Sequence, residues 1–398
     1  MAGELPLAGI RVLDLTQIYN GPYATFLMAM AGAEVIKVEP IGGEYLRRRD
    51  ASSGAAMPFA MLNACKDSIS LNLKSARGRE LFLELVDTAD VVAENYSPGV
   101  MDRLDLGWET LSARNPRLIV ASGSGYGQDG AYQDMMAMDL TVQAMSGLMS
   151  VTGNADGPPM KSGAAVCDFG GGIHMYGAIM TALFERERTG RGSRIDIAML
   201  DSVLMTMASN IGMLFGARKD IPLRTGNRHG GLSLCPYSVY PTSDGHIAVI
   251  CNAERHWAAL ARCMGREELA TDPRTLTNRE RVTNMDFVDT TISAFTATRT
   301  TEELAAMLRA ARVPSAPVRD LPDVLADEAL HERGLLVRVE HPDFGTVSLP
   351  RSPIRLGGDA RQADYRVSPA YARDNGRIYG ELGYDGGAVE KLQESGVI

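Results

Sequence analysis

The chain has 398 residues, of which 45% are hydrophobic and 22% charged, with a formal net charge of -9. This length is enough for two domains and a sizeable core. The negative charge argues against nucleic acid or an anionic membrane surface as the main partner. No apolar run reaches the roughly 18 residues of a membrane span, and the first residues show no signal-peptide pattern, so we expect a cytoplasmic protein.

The first 130 residues alternate strand and helix signals. Residues 10–15 and 34–38 have the pattern of buried strands, and residues 23–31 between them have the pattern of a helix. This βαβ unit predicts a parallel sheet. Further strands are predicted at 68–73, 91–93 and 118–121, and further helices at 78–88 and 100–111.

The remainder of the chain has a different pattern of predicted helices and strands. A long apolar helix over 171–186 is followed by a strand at 194–198, a Met-rich helix over 201–215 and a polar, glycine-containing segment. Hairpins are then predicted within 237–251 and 337–349, and helices at 254–264, 285–296, 301–311 and 388–394. We therefore predict a large domain (1–216), a linker (217–231), a small domain (232–330) and a C-terminal segment (331–398) that returns to the large domain.

The cysteines and histidines form no metal-binding pattern. There are five cysteines and six histidines, with no Cys-x-x-Cys and no His-x-x-x-His. The odd cysteine count argues against a disulfide framework, so the sequence fits a reducing compartment and predicts no metal site.

A single carboxylate, Asp168, follows an apolar run and precedes Gly170, Gly171 and Gly172. Glycines beside a carboxylate let a substrate approach the backbone and leave amide donors uncovered, as a carboxylate nucleophile would need. Asp is also a favoured N-cap residue, so the same pattern is typical of an ordinary helix start. Taken alone, the local sequence favours the cap.

Other catalytic patterns are absent or incomplete. The glycines at 123, 125 and 127 follow a strand, but their spacing does not fit a dinucleotide site. The sequence has no Walker loop and no Gly-x-Ser-x-Gly motif. Cys167, at the end of an apolar run, is typical of a buried and inert thiol.

Short polar signatures follow three of the predicted strands, at 16–20, 71–74 and 94–99. Ligands of parallel α/β sheets bind beyond the carboxyl ends of the strands. Together with Arg103, these loops would place amides and cations around a phosphorylated ligand. For Lys74 or Arg103 considered singly, a solvated surface charge is the ordinary alternative.

Specific short motifs are spread over nearly the whole chain. They lie at 10–16, 21–22, 32–39, 72–74, 94–99, 115–119, 143–147, 157–159, 186–192, 349–353 and 381–384. No single motif is decisive, but their order is specific, and the set resembles class III CoA-transferases of the CaiB/BaiF family.

The resemblance implies an α/β fold with a Rossmann-like parallel-sheet large domain and a smaller α+β domain, in a ring-shaped chain that forms an interlocked homodimer. It implies transfer of CoA from an acyl-CoA thioester to a carboxylic acid, with no permanently bound cofactor. The family nucleophile is an aspartate between a Gly-Pro-Pro segment and a long helix, the place of Asp168. A covalent aspartyl-CoA thioester is expected there, with Asp139 nearby and amides of Gly170, Gly171 and Gly172 as oxyanion donors.

The resemblance also implies a CoA site. Its expected residues are Ile18, Tyr19, Asn20, Leu71, Asn72, Leu73, Lys74, Asn95, Tyr96, Ser97, Arg103, Met136, Ala137 and Met138. The chain departs from the family at Pro40, where a basic residue is common, and at Met136, where some members have lysine. A shortened glycine-rich loop at 226–231 is expected to bring Asn227 and His229 to the active-site border; an interdomain linker is the alternative.

Two other functions stay open. A 2-methylacyl-CoA racemase needs an acid and a base on opposite faces of the α-carbon, and racemases of this superfamily have a histidine where this chain has Met138. A non-catalytic acyl-CoA-binding subunit of a heteromeric transferase would lack Asp168. For the acceptor, Arg48 and its two arginine neighbours are candidates to hold the far carboxylate of a dicarboxylic acid such as succinate, with a solvent-facing role as the alternative.

Overall fold

The computed structural model describes residues 5–50, 52–216, 222–357 and 361–398. The chain divides into two compact units. Unit 1 comprises Met1–Met145, Ala164–Val203 and Leu325–Ile398, and unit 2 comprises Ser146–Gly163 and Leu204–Val324. The C-terminal segment therefore belongs with the first part of the chain, while residues 146–163 and 204–231 belong to unit 2. Part of the predicted linker, 217–221, lies outside the described residues.

In the described part of unit 1, a six-stranded parallel sheet forms the centre of the fold. The strands are β1 (Arg11–Asp14), β2 (Glu34–Glu39), β3 (Asp67–Ser70), β4 (Val91–Glu94), β5 (Ile119–Ser124) and β6 (Arg194–Ala198). They pair in the order β3-β2-β1-β4-β5-β6, and every pair is parallel. This is the strand order of doubly wound α/β folds, and the predicted α/β fold with a parallel sheet is confirmed.

Helices connect these strands and cover the sheet. As far as Thr189 they are α1 (Asn20–Met30), α2 (Met57–Leu62), α3 (Ala76–Val86), α4 (Val100–Arg103), α5 (Trp108–Arg114), α6 (Asp139–Met145), α7 (Leu148–Val151) and α8 (Val166–Thr189), with α7 in unit 2. The single helix predicted over 100–111 is wrong. Asp105 has a φ of 57° between α4 and α5, a left-handed conformation that a helix does not continue through.

The Met-rich segment after β6 is also less regular than predicted. It contains α9 (Met199–Leu204), a 3₁₀ turn over Met205–Met207 and α10 (Ala208–Leu214). Unit 2 continues with β7 (Tyr237–Pro241), β8 (His246–Ile250), α11 (Glu254–Cys263), α12 (Asn278–Thr283), α13 (Met285–Thr296), α14 (Thr301–Ala310), β9 (Ser315–Pro317) and α15 (Leu321–Leu325). Its strands form an antiparallel sheet over a core that contains Trp257 and Ile292.

The C-terminal segment completes unit 1. It contains α16 (Glu328–Glu332), β10 (Leu336–His341), β11 (Gly345–Pro350), α17 (Asn375–Glu381) and α18 (Gly386–Glu394). Helix α17 is fixed to β3, because the Asn375 side chain bonds both the amide and the hydroxyl of Ser70, each at 2.9 Å. Burial of both amide atoms of Asn375 is thereby compensated.

Two hydrophobic cores cover the two faces of the parallel sheet. Leu13 and Val92 pack on one face with α3, α17 and α18, whereas Val12 and Val91 pack on the other with α1 and α8. Successive strand residues point to opposite faces. A sheet covered on both sides therefore requires nearly continuous apolar strands, which is why those segments could be recognised in the sequence.

Helices α1 and α8 approach closely because glycines stand where the two helices meet. A Cβ atom on Gly172 would lie 2.4 Å from the backbone oxygen of Asn20, and one on Gly171 would lie 2.3 Å from the Asn20 side-chain nitrogen. Both distances are far below van der Waals contact. The glycines therefore allow the first turns of α8 to sit directly against the start of α1.

Replacing Gly172 by alanine tests this packing. We expect Gly172→Ala to lower the free energy of unfolding by about 1–3 kcal/mol, because a backbone oxygen cannot rotate away from the added methyl group. Gly177→Ala is the matched control, since a Cβ there meets nothing within 4 Å. The control should gain about 0.5–1 kcal/mol from helix propensity. Urea unfolding curves in which both variants are more stable than the wild type, or both less stable, would contradict this account.

Candidate active site

A cleft of about 270 Å³ opens at the carboxyl edge of the parallel sheet in unit 1. Its lining comes mainly from the loops after β1, β4 and β5: Gln17, Ile18, Asn20, Asn95, Tyr96, Ser97, Pro98, Gly123, Ser124, Gly125, Met135, Ala137, Met138, Asp168 and Met199. Strands β1 and β4 are neighbours at the point where the strand order reverses. This is where ligands bind in open α/β sheets, and the loops predicted to converge lie there.

A second cavity, of about 420 Å³, adjoins the first. It is lined by Gln17, Val38, Pro40, Ile41, Leu71, Asn72, Leu73, Lys74, Tyr96, Val100 and Leu104. Gln17 and Tyr96 belong to both linings, so the two cavities follow one another along the sheet edge. Its apolar walls, with the ammonium group of Lys74 among the lining residues, suit a flat heteroaromatic ring that carries phosphate.

Most of the predicted CoA-site residues line one of these two cavities. Three do not: Tyr19, Arg103 and Met136. The ring of Tyr19 stacks on Phe169 with centroids 6.0 Å apart, and the side chain of Met136 is 93% exposed. Arg103 lies in α4 and approaches Gly99, with a guanidinium nitrogen 3.0 Å from where a Cβ on that glycine would be.

Several lining residues were missed in the sequence. Gln17 is the clearest case, because it stands inside the predicted loop at 16–20 and joins both cavities. Gly123 and Gly125 also line the first cleft, although their spacing does not fit a dinucleotide site. Their position at the end of β5 is the signal that would have found them, since strand ends of a parallel sheet line its ligand site.

The loop after β1 is held in a strained conformation by buried polar groups. Ile18 has a φ of 65°, which is rare for a β-branched residue. The Gln17 backbone N–H donates to the side-chain oxygen of Asn95 at 2.7 Å, and the Asn95 side-chain nitrogen donates to the Gln17 carbonyl oxygen at 2.8 Å. The Ile18 backbone N–H donates to the carboxylate of Glu44 at 3.1 Å. Strain of this kind persists only where surrounding contacts fix it, and it concentrates at ligand sites.

A buried ion pair supports the same loop from below. The ammonium group of Lys66 lies 2.9 Å from the carboxylate of Asp14, and both side chains are fully buried. Burial opposes ionisation of Asp14, but the charges of Lys66 and Lys37 outweigh it and hold the pKa of the Asp14 carboxyl below its usual range. Lys37 also donates to the backbone oxygen of Thr16 at 2.9 Å, which ties the loop to the core of the sheet.

Asp168 is the third residue of α8 and is 8% exposed. It does not cap the helix, so that interpretation is wrong. The N-cap position is Ala165, and the first amides bond the carboxylate of Asp139 instead: Cys167 at 2.8 Å and Asp168 at 3.2 Å. Asp139 begins α6, and its other oxygen accepts from Gln143 at 2.5 Å.

Two of the glycines after Asp168, Gly171 and Gly172, have a packing role, whereas a Cβ on Gly170 would meet nothing within 4 Å. Gly170, Gly171 and Gly172 lie within α8 as its fifth to seventh residues. Amides at these positions bond carbonyl oxygens one turn earlier in the helix, so they do not point into the cleft. This contradicts the prediction that these amides stabilise an oxyanion.

The acidity of Asp168 is strongly altered. Burial, and then the charge of Asp139, raise the pKa of the Asp168 carboxyl from 3.8 to about 7. The positive end of α8 does not offset these effects, because Asp139 already accepts from its first amides. Beside it, burial and the two carboxylates raise the pKa of the Cys167 thiol to about 12. The thiol is fully buried, which fits an inert cysteine.

The predicted acceptor residues do not line the cleft described above. Arg47 pairs with the buried carboxylate of Glu39 at 2.7 Å, and Arg49 lies over the ring of Tyr45. Arg48 is exposed. Asn227 and His229 belong to unit 2, where Asn227 lines a cavity beside the antiparallel sheet and His229 accepts a bond from the Gly231 amide at 3.1 Å. The roles of Arg48, Asn227 and His229 stay predictions.

Comparison with known proteins assigns the family. Residues 7–375 match the model of CoA-transferase family III. The chain belongs to CoA-transferase family III. It is 37% identical to the acetyl-CoA:oxalate CoA-transferase of Acetobacter aceti, over 89% of this chain and 90% of that one. It is 34% identical to the succinyl-CoA:glutarate CoA-transferase of Mus musculus, over 99% of this chain and 90% of the mouse protein.

A solved structure agrees with this assignment. A CaiB/BaiF family protein from Brucella suis superposes with a TM-score of 0.83 and 32% sequence identity, over 96% of this chain and all of that one. As a family III CoA-transferase, the protein acts on CoA thioesters. Among the described residues, no cluster of side chains has the make-up of a metal site, and no helix combines the length and apolarity needed to cross a bilayer.

The raised pKa of Asp168 makes a prediction for stability. In the unfolded chain the carboxyl loses its proton near pH 3.8, but in the folded protein it does so only near pH 7. Between these values the unfolded state releases a proton that the folded state keeps, so the contribution of this carboxyl to folding stability falls as pH rises and levels off above about pH 7. We therefore expect Asp168→Asn to be more stable than the wild type at pH 8, by on the order of 2–3 kcal/mol.

Urea unfolding of both proteins at pH 4, 6 and 8 measures this difference. The advantage of Asp168→Asn should grow from pH 4 to pH 7, because the amide carries no charge in either state. A difference that is the same at all three pH values would show that the carboxyl is not perturbed.

Proposed function

We propose that this enzyme moves CoA from an acyl-CoA to a dicarboxylic acid through a covalent thioester on Asp168. The observation that carries the proposal is the place of this side chain. Among the described residues that line the cleft, Asp168 is the only carboxylate, and the lining contains no lysine, arginine or histidine. A carboxylate in such a setting is suited to covalent catalysis, since it needs neither a base nor a metal to become a nucleophile.

The reaction proceeds by exchange of acyl bonds. A carboxylate oxygen of Asp168 attacks the thioester carbonyl of the donor, the C–S bond breaks, and a mixed anhydride and CoA thiolate form. The thiolate attacks the Asp168 carbonyl carbon, the anhydride C–O bond breaks, and the donor acid leaves as a carboxylate. An acceptor carboxylate then attacks the aspartyl thioester and expels the thiolate. Attack of that thiolate on the acceptor acyl carbon gives the new acyl-CoA and restores Asp168.

The two cavities supply a path for CoA. The adenine ring and its phosphate occupy the larger cavity, with Lys74 near the phosphate, and Pro40 forms apolar wall where a basic residue was expected. The pantetheine arm passes Gln17 and Tyr96, which line both cavities. The thioester then reaches Asp168. Tyr19, Arg103 and Met136 line neither cavity. In our proposal they contact only the parts of CoA that extend beyond the two cavities.

The acceptor is proposed from the relatives. The two transferases compared above are named for oxalate and glutarate, both dicarboxylic acids. The second carboxylate of such an acid requires a cation, and the described cleft lining has none. Arg48, which is exposed, is our candidate.

We also propose an interlocked homodimer, as the resemblance implies. Large apolar side chains on and after α8 support it: Phe184 is 67% exposed, Met205 76% and Phe215 85%. Where such side chains form a contiguous patch, they are typical of surfaces that a partner covers.

The racemase alternative lacks a proton carrier. Met138 lines the cleft where a histidine would be needed, and its thioether cannot exchange a proton. A non-catalytic subunit is disfavoured because Asp168 is present and lines the cleft. In either alternative, no covalent intermediate would form on Asp168.

Substitution and trapping test the covalent step. Asp168→Ala should lower transfer by about 10⁴-fold or more, because the nucleophile is lost, while the fold persists. Wild-type enzyme incubated with acyl-CoA and then hydroxylamine should carry a hydroxamate on the peptide that contains Asp168, detected by mass spectrometry. Enzyme incubated with free CoA and acid is the control. Full activity of Asp168→Ala, or α-proton exchange without CoA transfer, would overturn the proposal.

The pH dependence provides a separate test. Only the carboxylate form of Asp168 is nucleophilic, and its pKa is about 7. We expect kcat/KM to fall about tenfold per unit below pH 7. Asp139→Asn keeps an oxygen for the first amides of α8 but removes the like charge, so its profile should move to lower pH. An identical inflection in the two enzymes would contradict the role assigned to Asp139.

A further inference from the structure

The side-chain amide of Asn20 is buried without a hydrogen-bond partner. Its nitrogen and its oxygen are both closed to solvent and unpaired, and the residue is 3% exposed. Most buried polar side-chain atoms in folded proteins are bonded, and an unpaired pair of them carries a substantial penalty. The cost calls for a compensating role.

The position of this amide links it to Asp168. Asn20 and Asp168 line the same cleft. The Asn20 nitrogen is 2.3 Å from where a Cβ on Gly171 would be, and Gly171 follows Asp168 by three residues on α8. Residues three apart share one face of a helix, with Cβ atoms about 5–6 Å apart. The unpaired amide therefore packs against α8 within one turn of Asp168, at the cleft that both residues line.

Other donors near Asp168 are already engaged. The first amides of α8 bond Asp139, and the amides of the following glycines lie inside the helix. Each step of the proposed reaction develops negative charge on an oxygen, which preorganised donors stabilise. Asn20 supplies an uncommitted N–H group at this place.

We propose that Asn20 donates a hydrogen bond to the carbonyl oxygen of the acylated Asp168. When CoA thiolate attacks the Asp168 carbonyl carbon, the C–S bond forms and the carbonyl electrons move to this oxygen. The Asn20 amide stabilises the resulting oxyanion, and the C–O bond to the donor carboxylate then breaks as the carbonyl re-forms. This inference rests on the proposed aspartyl thioester.

The burial of the amide fits this role. The amide has no hydrogen-bond partner and is closed to solvent in the free enzyme. In our proposal, rotation of the aspartyl side chain brings the acyl oxygen of Asp168 to it. The bond is therefore absent in the free enzyme and forms with the covalent adduct. An interaction made only along the reaction raises kcat rather than ground-state affinity.

Asn20→Ala tests the inference, and Asn375→Ala is the matched control. Asn375 is likewise 3% exposed, but both its amide atoms bond Ser70. We expect Asn20→Ala to lower kcat about 10²–10³-fold with KM for acyl-CoA unchanged, and to raise Tm because the unpaired amide is gone. Asn375→Ala should lower Tm and leave kcat of the folded enzyme unchanged. Asn20→Ser, which keeps a donor, should recover part of kcat.

Hydroxylamine trapping separates this inference from the proposed function. If wild-type enzyme forms the Asp168 adduct and Asn20→Ala forms it at the same rate with wild-type kcat, the role of Asn20 is overturned and the aspartyl thioester stands. If Asp168→Ala retains transfer, both are overturned. A loss of kcat in Asn20→Ala that merely parallels a lower Tm would also reject the role, since a packing residue would behave in that way.

Discussion

The close approach of α1 and α8 is the constraint on which the site depends. It exists because Gly171 and Gly172 leave no side chain between the helices, so that α8 begins directly against Asn20. The same contact buries the Asn20 amide and brings Asp168 to the cleft at the edge of the sheet. Packing and chemistry are thus fixed by one backbone arrangement.

Asp139 decides how charge is distributed at this contact. The free N–H groups at a helix start ordinarily stabilise a nearby carboxylate. Here the N–H groups of Cys167 and Asp168 already donate to Asp139. Burial is the main cause of the raised pKa of Asp168, and the repulsion of the Asp139 carboxylate adds to it. A carboxyl group that ionises near neutral pH is the result, by the same tuning that other enzymes use for paired carboxylates.

The parts of the molecule that follow from repeated patterns could be predicted from the sequence. Apolar strands such as β1 and β2 must be buried on both faces, and their carboxyl ends must share an edge, so the fold class and the convergence of the loops at 16–20 and 94–99 were accessible. The packing role of Gly171 and Gly172 was not accessible, because the glycine pattern is the same whether a ligand or another helix approaches. Here Asn20 is the group that approaches Gly171, and only the three-dimensional arrangement shows it.

The site also gathers features that reduce stability. A carboxyl group whose ionisation is opposed, an amide without a partner, and a β-branched residue with a φ of 65° all line one cleft. The loop that carries two of them is secured by fully buried charges on Lys66 and Asp14, and by the bonds of Asn95 to Gln17. Elsewhere an equally buried asparagine, Asn375, is fully bonded. Because proteins retain unfavourable groups where function needs them, the grouping of these features in one cleft fits the proposed role of the contact between α1 and α8.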